Sequence, residues 1–261
     1  MYNRILKGYH IVKEVVEVAD FTVGERFFQE TKYGKGRKLP PTRILSKPSF
    51  FKTYKDVPVF KLNSPVTIDG PGIWRVIFKR RSIRSYDRDA PLDFDVFSQL
   101  VWASCGISSI RDGFSFRTWP SAGALYPIET YIYVNNVEKL QKGIYHYNVM
   151  DHSLELISSA DYSGPLTSAC LGQNMVREAS AVFIWAAVID RCRVKYGERA
   201  FRYIFMEVGH ICQNLYLTST ACDLACCAIG AFFDDDVNLI LGLDGINEST
   251  IYIATVGIPK I

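Results

Sequence analysis

No stretch of eighteen or more uncharged apolar residues occurs in this 261-residue chain, so no helix is expected to cross a bilayer. The start also lacks the uninterrupted apolar region a signal peptide needs, because Met1-Tyr2-Asn3-Arg4 runs into a segment with Lys13, Glu14 and Glu17. A cytoplasmic location is the default expectation. Charge of one sign is scarce as well: the formal net charge of +3 is too weak to argue for nucleic acid. The seven cysteines are odd in number and contain no Cys-x-x-Cys. Cys222, Cys226 and Cys227 lie in an apolar run without histidine or carboxylate at zinc-ligand spacing, so free buried thiols and no metal site are expected. Repeats and low-complexity tracts are missing too.

What is present is a globular composition, 48% hydrophobic and 22% charged, on a chain long enough to bury a core without staples. Residues 1–70 differ from the rest. They are rich in lysine and carry Pro40, Pro41, Pro48, Pro58 and Pro65, and prolines at such intervals prevent long helices and central strands. This segment reads as an arm with one amphipathic helical piece, lying over a main domain at 71–261. The cluster Lys32, Lys35, Arg37 and Lys38 sits among glycines and prolines and reads as a solvated loop.

The patterns firm up beyond Pro71. Asp93 is an N-cap candidate for a helix whose Val96, Phe97, Leu100 and Val101 follow at helical spacing. Strands are predicted over Thr130–Val134, Ile144–Tyr147, Leu154–Ile157, Ala181–Ile189 and Ile251–Val256. A long helix starts near Ala200, with Phe201, Ile204, Phe205, Val208, Ile211, Cys212 and Leu215 on one stripe. The stretch Leu224–Phe233 fits a helix continuation or a buried strand. Asp234, Asp235 and Asp236 precede a short helix, where negative charge suits the helix dipole. Helices and strands mix without strict alternation, so the class is α+β.

Three segments carry chemistry. Arg80, Arg81, Ser82 and Arg84 supply three guanidinium groups and a hydroxyl within five residues, a donor set suited to phosphate and equally to an exposed basic helix end. Pro120-Ser121-Ala122-Gly123-Ala124-Leu125-Tyr126-Pro127 is built of small residues that let a flat ligand approach the backbone, or of a tight turn before a strand. Gly230-Ala231-Phe232 is a weaker version of the same signal.

Together these motifs resemble the nitroreductase-like flavoproteins. The Pro-Ser-Ala-Gly-Ala-Leu-Tyr-Pro-x-Glu form, with Glu129 in place, is similar to the SagB-type dehydrogenases. Gly143-Ile144-Tyr145-His146-Tyr147, the segment Glu207–Asn214, Gln29–Tyr33 and Phe51-Lys52-Thr53-Tyr54 resemble that subfamily too. The resemblance implies a three-layer sandwich with a central, mostly antiparallel sheet flanked by helices, and FMN at a homodimer interface. It implies that Arg80, Arg81, Ser82 and Arg84 hold the phosphate and ribityl chain, that Pro120, Ser121, Ala122, Gly123 and Leu125 line the flavin ring, and that Gly230 and Ala231 approach from the late apolar run. The basic residue that many members carry beyond the last strand would here be Lys260. The pair Lys195-Tyr196 resembles a catalytic pair of the azoline oxidases, which implies dehydrogenation of a peptide azoline to an azole, with a cyclodehydratase as a further partner. An NAD(P)H-dependent nitro or quinone reductase and a non-catalytic flavin-binding scaffold are the alternatives.

Overall fold

The computed structural model describes residues 21–35, 42–44, 48–67 and 69–260. The chain divides into two units, Met1–Pro41 and Thr42–Ile261. In the first, helix α1 (Val23–Glu30) is capped at Thr22, whose backbone N–H donates to the Glu25 carboxylate at 2.8 Å. Residues 1–20 and 36–41, which include Arg37, Lys38, Pro40 and Pro41, lie outside the described residues. The second unit begins at Thr42 rather than near residue 71. Its segment 42–70, assigned from its prolines to the arm, enters the main sheet through strand β1 (Val59–Lys61). Pro58 stands just before that strand and β1 is at the sheet edge, where a missing N–H is tolerated.

The sheet has seven strands. To β1 it adds β4 (Ile128–Val134), β5 (Gly143–Asn148), β6 (Ser153–Ser158), β7 (Ala181–Val188), β8 (Ala225–Ile229) and β9 (Glu248–Gly257), in the order β1-β6-β5-β4-β7-β9-β8. Every neighbouring pair is antiparallel. A separate hairpin joins β2 (Ile107–Arg111) to β3 (Phe114–Arg117). The helices are α2 (Ile73–Lys79), α3 (Phe94–Cys105), α4 (Ser163–Ala169), α5 (Met175–Glu178), α6 (Ile189–Tyr196), α7 (Ala200–Ala221) and α8 (Asp234–Leu241).

Strand β7 shows how the layers form. Side chains alternate across a strand, so Phe183 and Trp185 enter the core that α3 and α7 complete, while Val182 and Ile184 enter the core shared with α4, α5 and α8. Both faces are covered, which is why the run reads as continuously apolar. The result is an α+β three-layer arrangement with a large antiparallel sheet. Removing the fully buried Phe183 ring would cost about 3–5 kcal/mol. Helix α3 starts where expected: the Asp93 carboxylate accepts from the N–H groups of Asp95 and Val96, both at 2.9 Å. The stretch from Leu224 resolves into strand β8, because a three-residue turn after α7 reverses the chain onto β9.

One buried ion network ties the strands to α6. Arg191 reaches the Glu129 carboxylate at 2.6 Å, the Tyr126 carbonyl at 3.2 Å and the Ser49 carbonyl at 2.6 Å. Glu129 also meets His146 at 3.0 Å, and the other ring nitrogen of His146 meets Glu155 at 2.8 Å. Burial opposes charge on His146 and Glu129, yet the paired carboxylates hold His146 above its ordinary value, and His146 and Arg191 hold Glu129 below. Glu129 thus orients α6, whose last two residues are Lys195 and Tyr196.

The seven cysteines are free thiols, six of them buried and Cys222 half-buried. Among the described residues, no helix is long and apolar enough to cross a membrane.

Candidate functional site

The loop at 120–127 is strained and held. Gly123 has φ 65°, and the non-glycine residues Ala124 and Tyr126 have φ 54° and 45°. Left-handed backbone outside glycine costs about 1–2 kcal/mol per residue, and surrounding structure must enforce it. Several bonds enforce it here. The Tyr126 N–H donates to Ser121 Oγ at 2.9 Å, the Ala124 N–H to the Ser121 carbonyl at 3.1 Å, and the Arg117 N–H to the Tyr126 hydroxyl at 3.2 Å.

The loop's anchor is Glu207, a carboxylate on the buried face of α7. It accepts from Trp119 Nε1 at 2.9 Å and from Ser121 Oγ at 2.7 Å. Burial pushes its carboxyl up to about 7, against those two hydrogen bonds and the Arg117 charge. Glu207 carried no role in the sequence reading. The available signal was a lone carboxylate three residues after Ile204 and four before Ile211, on the apolar stripe of a helix.

Lys195 and Tyr196, at the end of α6, reach this loop. A β-carbon built on Gly123 would fall 2.7 Å from Lys195 Nζ and 2.7 Å from the Tyr196 hydroxyl. The lysine nitrogen lies 5.4 Å from the Tyr196 ring centre, and that ring packs edge-on against Tyr203 of α7 at 4.8 Å. Lys195 is exposed.

The arginine segment sits elsewhere on α7. Ser82 Oγ and the Tyr216 hydroxyl are 2.9 Å apart, and the Arg80 guanidinium lies 5.1 Å from the Tyr216 ring centre. The Ile83 N–H donates to the Cys226 carbonyl at 3.0 Å, which closes the open edge of β8. Arg81 donates to the carbonyls of Phe78 and Arg80, and Arg84 weakly to that of Ser82. Among the described residues none of these three arginines is in a salt bridge, so their charge is available to an anion. The chain beyond β9 runs beside them, with the Lys260 N–H donating to the Ser85 carbonyl at 3.2 Å.

Two distances follow from the helix. Glu207, which holds the loop, and Tyr216, which holds Ser82, are separated by about 13 Å at 1.5 Å per residue. Tyr203 and Tyr216 are separated by about 20 Å on the same scale. The arginines therefore lie at one end of a span and the Ser121 loop, with Lys195 and Tyr196 against its Gly123, at the other, a span suited to a ligand with a phosphate at one end and a ring at the other. Gly230 and Ala231 leave the end of β8 and are exposed; the Ala231 carbonyl accepts from Gln173 Nε2 at 3.1 Å. Pro120 and Gly123 are also exposed, and Ser121, Ala122 and Leu125 half-buried.

Residues 77–258 match the Nitroreductase family. The protein MJ1384 of Methanocaldococcus jannaschii, named for the nitroreductases, is 39% identical over 166 residues, which is 64% of this chain and 82% of that one. The microcin B17-processing protein McbC of Escherichia coli is 28% identical over 142 residues, 52% of each chain, so the matched part spans about half the length of that relative. Among solved structures, a nitroreductase-type protein of Anabaena variabilis superposes with a TM-score of 0.74 at 29% identity, over 90% of this chain and 47% of that one. A chain of the E. coli microcin synthetase McbBCD complex, with truncated pro-MccB17 bound, gives 0.60 at 19% identity over 95% and 86%. A Desulfovibrio desulfuricans nitroreductase-type structure in complex with FMN gives 0.52 at 16% identity over 74% and 89%. The last two likenesses establish the fold alone.

Proposed function

The chain belongs to the nitroreductase family, and from that premise we propose that it is a SagB-type, FMN-dependent oxidoreductase that works as a homodimer and dehydrogenates a peptide azoline to an azole. The observation that carries the reading is the convergence of Lys195 Nζ and the Tyr196 hydroxyl on Gly123, in the loop proposed to line the flavin ring. The donor set fits FMN: three guanidinium groups without a salt bridge among the described residues and a hydroxyl for the phosphate, and a partly exposed loop of small residues that lets a flat ring approach its backbone. FMN, when bound, supplies the two-electron acceptor.

The protein's own residues do the rest. Arg80, Arg81, Ser82 and Arg84 hold the phosphate, with Lys260 beside them. Ser121, fixed by Glu207, sets the loop against the ring, and Gly230 and Ala231 approach from β8. Lys195 accepts the proton leaving the azoline carbon, and Tyr196 holds the substrate or the resulting ammonium group. FMN held by Arg80, Arg81, Ser82 and Arg84 would supply the acceptor for the second hydrogen and its electron pair. Lys195, exposed in this chain, is covered by the second subunit and the bound ring.

The likeness to McbC, named for microcin B17 processing, supports a peptide substrate, and a cyclodehydratase is the partner proposed with it. The test is incubation of the yellow protein in air with a thiazoline-bearing peptide, with mass spectrometry for the loss of two hydrogens. Loss that needs Lys195 supports the reading; an unchanged peptide contradicts it. The similarity to MJ1384 favours a second reading, reduction of nitro compounds or quinones at the expense of NAD(P)H. Rapid bleaching of the flavin by NAD(P)H in a stopped-flow trace would establish that one.

A further inference from the structure

Beside the loop lies a cavity of about 300 Å³, between Phe50 and Phe51, the β2–β3 hairpin from Gly113 to Arg117, and the stretch Gly123 to Tyr126. Its walls are ring faces and small groups. Phe50 and Phe114, both exposed, and the buried Tyr126 are among its lining residues. The opening adjoins the same Gly123 that Lys195 and Tyr196 approach. A cavity of this size holds one small ring and its substituents, at the low end of ligand sites.

Among the described residues a single charged side chain lines it, Arg117. Its guanidinium lies 5.0 Å from the Tyr126 ring centre, 5.5 Å from Phe51 and 5.6 Å from Trp119. Ring faces attract the cation but accept none of its five N–H groups in the plane where those groups point. Glu129 acts on the charge from a distance and is already paired with Arg191 and His146. Among the described residues, Arg117 Nε is buried without a hydrogen-bond partner and no carboxylate forms a salt bridge with the group. Burial lowers the guanidinium from its ordinary value, which is the signature of a cation short of partners. A stacked, desolvated arginine at the wall of an aromatic cavity wants an oxygen acceptor on a flat ligand.

We propose that this cavity is the substrate subsite and takes a flat five-membered heterocycle bearing a carbonyl group, with the ring between Phe51 and Phe114 and the carbonyl oxygen accepting from Arg117. The inference rests on the dehydrogenase reading for the identity of the ring, and on the cavity alone for the shape and the acceptor. It places the ring beside the loop whose Gly123 faces Lys195, and it gives the Phe50–Phe51 segment a role in substrate selection.

Calorimetric titration with two probes tests it: 2-methylthiazole-4-carboxamide, and 2,4-dimethylthiazole, which has the ring without the carbonyl. A charge-assisted hydrogen bond predicts a preference of roughly 10- to 100-fold for the carboxamide. Arg117→Met should remove most of that preference while flavin absorbance is retained. Phe114→Ala, on the rim, should weaken both probes alike. Equal affinity of the wild-type protein for the two probes overturns the subsite, and so does a preference that survives Arg117→Met. Binding is read without turnover, so a protein that discriminates the probes but oxidises no thiazoline overturns the reaction and leaves the subsite standing.

Discussion

Gly123 and Lys195 are fitted to each other: a β-carbon on the glycine would stand 2.7 Å from the lysine Nζ, closer than such atoms approach. Gly123 also has φ 65°, which a side chain makes unfavourable. Gly123→Ala is therefore expected to push the ends of Lys195 and Tyr196 aside. Its oxidation rate should fall, and its melting temperature should drop by a few degrees, because left-handed backbone at alanine costs about 1–2 kcal/mol. Wild-type turnover in this variant would separate the pair from the reaction.

Replacing the pair itself gives the sharper comparison. As a general base, Lys195 should contribute about 10²–10⁴ in rate. Lys195→Ala should lose that factor and keep the cofactor. Tyr196→Phe retains the packing on Tyr203 at 4.8 Å and should lose less. Steady-state rates on a genuine azoline decide the matter, and an unimpaired Lys195→Ala would make the pair structural.

Arg84 offers a test of the cofactor that needs no substrate. It is exposed and engages only a weak contact with the Ser82 carbonyl at 3.5 Å, so a change there leaves the fold alone. Arg84→Glu sets a carboxylate against the proposed phosphate site, a like-charge contact. The purified variant should be colourless where the wild type is yellow with one FMN per protomer. Equal absorbance near the flavin bands in both proteins would move the phosphate elsewhere.

The apolar stripe of α7 is largely covered within the chain: Ile204, Val208, Ile211, Leu215 and strand β8 are buried in its own cores. Apolar surface remains instead on α2, where Trp74 and Phe78 are 82% and 79% exposed, and on α7 at Phe205 and Met206. Exposed apolar side chains on α2 make that helix a candidate interaction site. Light scattering should give twice the 29.6 kDa protomer mass. Trp74→Glu with Phe78→Glu should halve it, and a double variant that stays dimeric would place the interface elsewhere.

What the sequence made legible was periodic. The stripe of α7 and the unbroken apolar run of β7 each announce a period or a burial on both faces, and both elements stand where they were expected. The β2–β3 hairpin was missed although Asp112-Gly113 signals it, with φ of 50° and 79° at the turn. The site was half legible for a physical reason. Arg80–Arg84, the Ser121 loop and Lys195-Tyr196 are contiguous motifs, whereas Arg117, Glu207 and Phe51 matter only through contacts that the fold creates. Glu207 is 86 residues from Ser121 in sequence and 2.7 Å away in space.

Glu207 also gives the pH prediction. Its carboxyl is pushed from an ordinary value of 4.5 up to about 7, mainly by burial, with the Trp119 and Ser121 hydrogen bonds opposing. The folded protein then binds a proton that the unfolded chain has already released between about 4.5 and 7. Stability falls as pH rises wherever the folded state holds more protons, so it is fullest below the unfolded value and is lost up to the folded one. The side chain is 3% exposed, and the whole difference is on the order of 3 kcal/mol at most. The melting temperature should drop by several degrees between about pH 5 and pH 8 through this group. Glu207→Gln keeps an acceptor for Trp119 and cannot ionise, so its melting temperature should lose that part of the slope and lie above the wild type at pH 8. Parallel wild-type and variant curves would show that Glu207 does not titrate in this range. Because Glu207 holds Ser121, the same variant should leave the strained loop in place and oxidise substrate with a flatter pH profile than the wild type.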